Sequence, residues 1–181
     1  MTSSSRPEIR ILGSLRSADG TGVVRIEDHY DTDIDDLWSA LTDPDRLVRW
    51  FGQVDGDLRL GGRFQLHLGP DGDRDGRVDA CEPPERLLVI LRETAESWQK
   101  GQGAPPFDEV VEARLTRNGS RTGLVVEVRG IALDTIAFYG AGWQIHAENL
   151  ATYLAGRERG DTGARWDALV PSYQDLAANV T

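Results

Sequence analysis

Apolar and polar positions alternate over residues 22–30. Val24, Ile26 and Tyr30 share one parity and Arg25, Glu27 and His29 the other, the pattern of a strand with one face in a core. Over 31–52 the period lengthens. Ile34, Leu37, Trp38 and Leu41 stand at i, i+3, i+4 and i+7, one apolar stripe of a helix. Thr32, with Asp35 three residues on, predicts a capping box at its start. Asp43-Pro44 restarts the chain as an acidic N-cap with Pro at the first helical position, and Leu47, Val48, Trp50 and Phe51 close a second, short helix. Alternation then returns. Short strands are predicted at 54–59 and 63–68, the latter with Phe64, Leu66 and Leu68 on one face. A hairpin loop at 69–76 leads to a strand at 76–82 with Val78 and Ala80 inward, ended by Pro83-Pro84. Residues 86–93 are apolar on both parities, which predicts a central strand. After a long loop at 94–108, Val111, Ala113 and Leu115 face inward, and then Leu124, Val126 and Val128. From 133 the period is helical again. Ile136, Gly140, Trp143, Ala147, Leu150 and Leu154 form a stripe, with Tyr139, His146 and Tyr153 on its shoulder. A break at 157–163 precedes a last helix at 164–178, carrying Trp166, Leu169, Val170, Tyr173 and Leu176.

The order is a strand, two short helices, six antiparallel strands and a long helix. This is an α+β chain: a curved antiparallel sheet whose apolar face must be covered, with the long helix the one element able to cover it. Small inward residues at Ala80, Ala113, Gly140 and Ala147 would leave space beneath that helix. Three segments are expected. Residues 1–21 form an N-terminal arm, partly disordered, with 9–16 as an extra strand or arm. Residues 22–157 form the ligand-binding domain, and 158–181 a C-terminal helical extension.

Composition narrows the function. The 181 residues carry a formal charge of −10, and Lys100 is the sole lysine. Nucleic-acid binding needs clustered cations to displace counterions, so nucleic acid and anionic membranes are not expected partners. Cys81 stands alone, which rules out an internal disulfide and a multi-cysteine zinc site. The first ten residues, MTSSSRPEIR, lack an apolar signal core, and no apolar run reaches the length of a membrane span. A cytoplasmic protein is expected. The preference for Arg over Lys, with abundant Gly and Asp, points to a GC-rich, actinobacterial genome.

The segment Trp38, Ala40, Leu41, Thr42, Asp43, Pro44, Leu47 and Trp50 resembles the W-x-A-L-T-D-P-x-x-L-x-x-W opening of one branch of the START/polyketide-cyclase-like (SRPBCC) superfamily, the branch named for the activator of the heat-shock-protein-90 ATPase. Further matching positions are Gly61, Gly62 and Phe64; Gly76, Val78, Pro83, Pro84, Arg86 and Leu87; and Gly142, Trp143, Leu150 and Leu154. Together they span about residues 22–156. The resemblance implies a helix-grip fold, in which a curved antiparallel sheet wraps around a long C-terminal helix. It also implies a ligand cavity in an actinobacterial protein. Superfamily members include resistance proteins that bind reactive enediyne antibiotics and are cleaved in the process. In this chain Gly101 and Gly103 suit such sacrificial cleavage, because a glycine α-hydrogen is unhindered and both flanking amides stabilise the radical. The branch name implies a second function, a co-chaperone that binds a protein partner. The superfamily also contains polyketide cyclases and dehydratases, a third function in which His146 or Asp28 would act with a tyrosine.

No catalytic signature is present. The histidines are dispersed without metal-ligand spacing, so neither metal nor cofactor is expected. His29 and His67 have the outward parity of surface residues. His146 follows Trp143 by three residues and Tyr139 by seven, so the three can line the helix side of a cavity. The alternative is a partly buried histidine bonded to a tyrosine or a carbonyl. Asp28 falls on the inward parity between Ile26 and Tyr30. Desolvated, it is a candidate general base; at a bulge or strand end it returns to water. Trp98 and Phe107 lie within the 94–108 loop on either side of Gly101 and Gly103 and, with these glycines, are candidates for the cavity mouth. The expected ligand-binding wall is Trp38, Phe64, Leu66, Trp98, Trp143, His146 and Leu150. The expected function is non-catalytic binding of an apolar or polycyclic small molecule.

Overall fold

The computed structural model describes residues 9–94 and 107–180. The elements are β1 (Gly13–Ala18), β2 (Thr21–Tyr30), α1 (Ile34–Thr42), α2 (Pro44–Trp50), β3 (Gln53–Gly56), β4 (Arg63–His67), β5 (Asp73–Glu82), β6 (Arg86–Glu93), β7 (Asp108–Asn118), β8 (Arg121–Ile131), α3 (Ile136–Leu154) and α4 (Thr162–Ala177). The eight strands form one curved antiparallel sheet in the order β1-β2-β8-β7-β6-β5-β4-β3. The chain leaves β2 and re-enters at the far edge, β3, so α1 and α2 cross between the two ends of the sheet. The long α3 lies against the concave face. This is the helix-grip fold.

Local chemistry sets each boundary. The N-cap of α1 is Asp33, whose side chain accepts from the Asp36 amide at 2.8 Å. The cap falls one residue later than the Thr32 box predicted. Asp35 is a methylene shorter than the Glu that closes such a box, and the Thr32 hydroxyl donates instead to Asp36 Oδ2 at 2.6 Å. Asp43 caps α2 as expected, accepting from the Asp45 amide at 2.9 Å, with Pro44 in the first turn. Leu47 and Trp50 take the buried face of α2, while Val48 is exposed. The Trp50 indole N–H donates to the Ala40 carbonyl at 3.0 Å and locks the two helices together.

Two inward assignments change. The β5–β6 register shifts between Val78 and Ala80, a bulge that reverses the side-chain parity. Cys81 therefore packs against the core in place of Ala80. Gly140 does not face the cavity either. A Cβ at that position would overlap the Tyr173 ring of α4.

The α3 helix is buried on two sides. Ile136, Ala147 and Leu150 join the main core, whereas Ala137, Ala141 and Ile145 pack with Leu169 and Tyr173 of α4. Gln144, wholly buried, fastens the second side. Its Oε1 accepts from the Leu12 amide at 2.9 Å and the Tyr173 hydroxyl at 2.7 Å; its Nε2 donates to the Arg10 carbonyl at 2.8 Å and to Glu148. One buried amide thus holds the N-terminal segment and α4 onto α3, and β1 extends the sheet beside β2. On the convex face, the Glu112 carboxylate sits among Arg86 at 2.7 Å, Arg114 at 2.5 Å and Arg129 at 3.0 Å. Guanidinium forks suit such shared bonding better than an ammonium would. Among the described residues no helix is long and apolar enough to cross a membrane.

Candidate functional site

The concave sheet, α1–α2 and α3 enclose a cavity of about 120 Å³. Its helical wall is Leu41, Thr42, Leu47, Trp50 and Phe51 on one side and Trp143, His146, Ala147 and Leu150 on the other. The sheet contributes Ile26, Asp28 and Tyr30 from β2, Phe64 and Leu66 from β4, and alternate residues of β5 to β8. The Asp43-Pro44 bend matters here. It ends α1 and starts α2, so that Leu47, Trp50 and Phe51 come to face α3. Gly76 matters as well, because a Cβ there would overlap the Phe64 ring. With glycine at that position, the ring lies across β5 as part of the wall.

The few polar groups in this wall are mostly satisfied by the protein. The Tyr30 hydroxyl donates to the Ala147 carbonyl at 3.2 Å, and burial pushes its pKa up. The Thr42 hydroxyl donates to the Trp38 carbonyl at 2.8 Å. Asp28 keeps regular pairing opposite Leu124; the bulge in β2 lies at Gly22/Val23 instead. Asp28 therefore stays inward rather than returning to water, and Arg10 pairs with it at 3.0 Å.

His146 differs. Its ring is held edge-on by Phe51, at 4.6 Å between centroids, and by Trp143, at 5.6 Å. Its Nδ1 is covered by protein and has no hydrogen-bond partner among the described residues. Burial, with a smaller effect from the Arg159 guanidinium, pushes the imidazole pKa down to about 4, so the ring is neutral at physiological pH.

Of the expected wall residues, Phe64, Leu66, Trp143, His146 and Leu150 border the cavity. Trp38 does not. It is half-buried and packs against the core from outside the cavity, because Ile34, Leu37 and Ala40 take the inner face of α1. Trp98, Gly101 and Gly103 lie outside the described residues. Phe107 packs against Tyr139, 6.2 Å between centroids. His29 is exposed, and His67 sits between Asp73 at 2.9 Å and Asp55 at 3.3 Å, which raises its pKa. No cluster suited to a metal ion occurs among the described residues.

Two further groups are placed at or near the site by the tertiary structure, beyond those expected there from the sequence pattern. One is Phe51, the C-cap of α2, whose ring packs tilted against Trp143 and edge-on against His146. The other is Glu109, which continues the inward parity of Val111, Ala113 and Leu115. It is buried, accepts from the Tyr139 hydroxyl at 3.0 Å and lies 3.8 Å from Arg74. Burial raises its pKa against the opposing pull of Arg74. Extending the parity by one step would have found it. It does not border the cavity, so it does not converge with His146 or Asp28.

The profile of the family described as Activator of Hsp90 ATPase homolog 1-like protein matches residues 31–155. The chain belongs to this family. The matched span runs from the turn before α1 to the end of α3, and so contains most of the cavity wall. Among solved structures, CalU16 from Micromonospora echinospora is 28% identical, with a TM-score of 0.73, covering 91% of this chain and 95% of its own. DynU16, a protein in the dynemicin biosynthetic locus, is 28% identical with a TM-score of 0.64. That match covers 76% of this chain and 48% of DynU16, so this chain aligns with about half of the longer protein. Protein MLL2253 from Mesorhizobium loti is 26% identical with a TM-score of 0.65, over 76% of this chain and 99% of its own. No curated protein gives a significant match. CalU16, DynU16 and MLL2253 are similar to this chain in sequence as well as in fold.

Proposed function

We propose that this family member binds an apolar, ring-bearing small molecule between its sheet and α3 without transforming it, and that it serves natural-product self-resistance by sequestration. The observation that carries this reading is the wall itself: aliphatic and aromatic side chains on every side, with Tyr30, Thr42 and Asp28 already occupied by protein partners. Such a lining favours burial of apolar surface, and of the two titratable groups that border it, Asp28 is already held by Arg10 and His146 is a neutral imidazole. Likeness to CalU16 and to DynU16, a protein of the dynemicin biosynthetic locus, supports the natural-product setting. Sacrificial cleavage at Gly101 or Gly103, in which the ligand is consumed, is the alternative route to the same self-resistance.

Size limits the ligand. A dry protein cavity of about 150 Å³ holds benzene; this cavity, at about 120 Å³, is a little smaller, so even a single-ring ligand needs slight movement of the wall. A polycyclic ligand enters only if half-buried side chains such as Phe51, Leu58, Leu87 and Trp143 rotate away. The test is calorimetric titration with ethylbenzene and naphthalene. Binding with negative ΔCp and little response to salt is expected, with ethylbenzene the easier fit. Loss of binding on adding moderate salt, or no binding by either hydrocarbon or by a single-ring ketone, would reject the reading. The first outcome would favour a charged protein partner of the co-chaperone kind.

A further inference from the structure

We infer that His146 is the polar anchor of the cavity, and that the ligand is a neutral ring compound with a carbonyl-type acceptor, such as a ketone, quinone or lactone oxygen, set against the imidazole Nε2–H. This rests on the cavity-binding reading above and adds the chemical class of the ligand.

The tautomer follows from the surroundings. Nδ1 is covered by protein and has no partner among the described residues. A buried N–H without an acceptor is rarer and costlier than a buried lone pair without a donor. The single proton of the neutral ring therefore sits on Nε2. That the ring is neutral agrees with its pKa, pushed down by burial to about 4.

The setting then fixes what the proton can do. The flanking Phe51 and Trp143 rings stand at 69° and 68° to the imidazole and restrict its rotation. No described residue hydrogen-bonds the ring, which borders the cavity. The other wall hydroxyls point their protons at backbone carbonyls, Tyr30 at Ala147 and Thr42 at Trp38. Asp28, held by Arg10, presents a carboxylate, which accepts and does not donate. An imidazole N–H in an apolar wall gains from a ligand oxygen what water would otherwise give it. A purely hydrocarbon ligand would bury it unpaired. The cavity therefore discriminates between ring compounds by one acceptor, since an unmet polar group penalises the wrong ligand more than a missing methylene does.

The test compares acetophenone with ethylbenzene, near-isosteres that differ by the carbonyl oxygen, on the wild type and on His146→Leu. Loss of one hydrogen bond should weaken acetophenone about fivefold or more relative to ethylbenzene, taken as a double-mutant cycle. Equal changes for both ligands would reduce His146 to a piece of wall and overturn the inference. Because His146→Leu could fail to fold, long-range ¹H–¹⁵N spectra of the wild type supply a second measurement. Apo protein should show the Nε2–H tautomer, and acetophenone but not ethylbenzene should shift the His146 Nε2 resonance. An Nδ1–H tautomer, or identical shifts with both ligands, would overturn the inference. Failure of both ligands to bind the wild type would remove the cavity reading and this inference with it.

Discussion

Acid should destabilise this protein through His146 well before its carboxylates are protonated. The folded-state pKa is about 4 against an ordinary value of 6.5, because the imidazolium would sit in an apolar wall near the Arg159 guanidinium. The sign follows from linkage. Above pH 6.5 the histidine is neutral in both states and its titration contributes nothing. As pH falls below 6.5 the unfolded chain binds a proton that the folded protein refuses, and stability drops until the folded form is protonated as well, near pH 4. A separation of roughly two to three units at 1.36 kcal/mol each gives a loss of about 3 kcal/mol across that window. Glu109 works in the opposite sense. Its raised pKa lets the folded state take up a proton before the unfolded state does. A difference measurement cancels that contribution. The assay is urea unfolding of wild type and His146→Leu at several pH values from 7 to 4.5, read as midpoint and slope. The wild type should lose stability more steeply than the variant as pH falls, so that the two curves converge or cross. Parallel curves would mean that the imidazole reaches water or is already charged in the fold, and the geometry given for the cavity wall would be wrong.

Further outcomes follow from particular contacts. Trp143→Ala should cost about 2 to 3 kcal/mol in urea unfolding, below the ~3–5 kcal/mol for a fully buried tryptophan because one side of the ring already faces the cavity; it should also admit naphthalene more readily, and a neutral effect on both would displace Trp143 from the wall. Gly140→Ala should lower the unfolding midpoint even though alanine favours helix by about 1 kcal/mol, because its methyl group would meet the Tyr173 ring at an overpacking cost of about 1–3 kcal/mol; a raised midpoint would show that α4 yields freely. Glu109→Gln should gain on the wild type as pH rises from 4.5 through the raised pKa of Glu109, since only the wild type must then bury a charge, and a pH-independent gap would indicate a hydrated carboxyl.

The period-two and helical patterns were enough to give the order of elements, the helix-grip architecture, and Phe64, Leu66, Trp143, His146 and Leu150 as neighbours of an inner space. Periodicity reports which side of an element is apolar, and in a sheet covered by one helix the apolar side has few places to go. Asp43-Pro44 was legible for a similar reason, since its capping chemistry is confined to adjacent residues. What periodicity cannot report is which of two apolar partners a residue meets. Gly140 and Trp143 share one stripe, yet the first receives Tyr173 of α4 and the second faces the cavity, because α3 is buried on two sides and the crossing of α4 decides between them. A single bulge between Val78 and Ala80 exchanged Ala80 for Cys81, since one extra residue inverts every side chain beyond it. Trp38 stands in the apolar stripe and still borders no cavity, because the inner face of α1 is taken by Ile34, Leu37 and Ala40. The sequence by itself determined the elements, their order and their apolar faces, which depend on residues close along the chain. Only the tertiary structure decided the size of the cavity, the Asp28–Arg10 pairing and the unpartnered nitrogen of His146. Those depend on groups brought together from distant segments, where an ångström of packing separates a satisfied atom from an orphaned one.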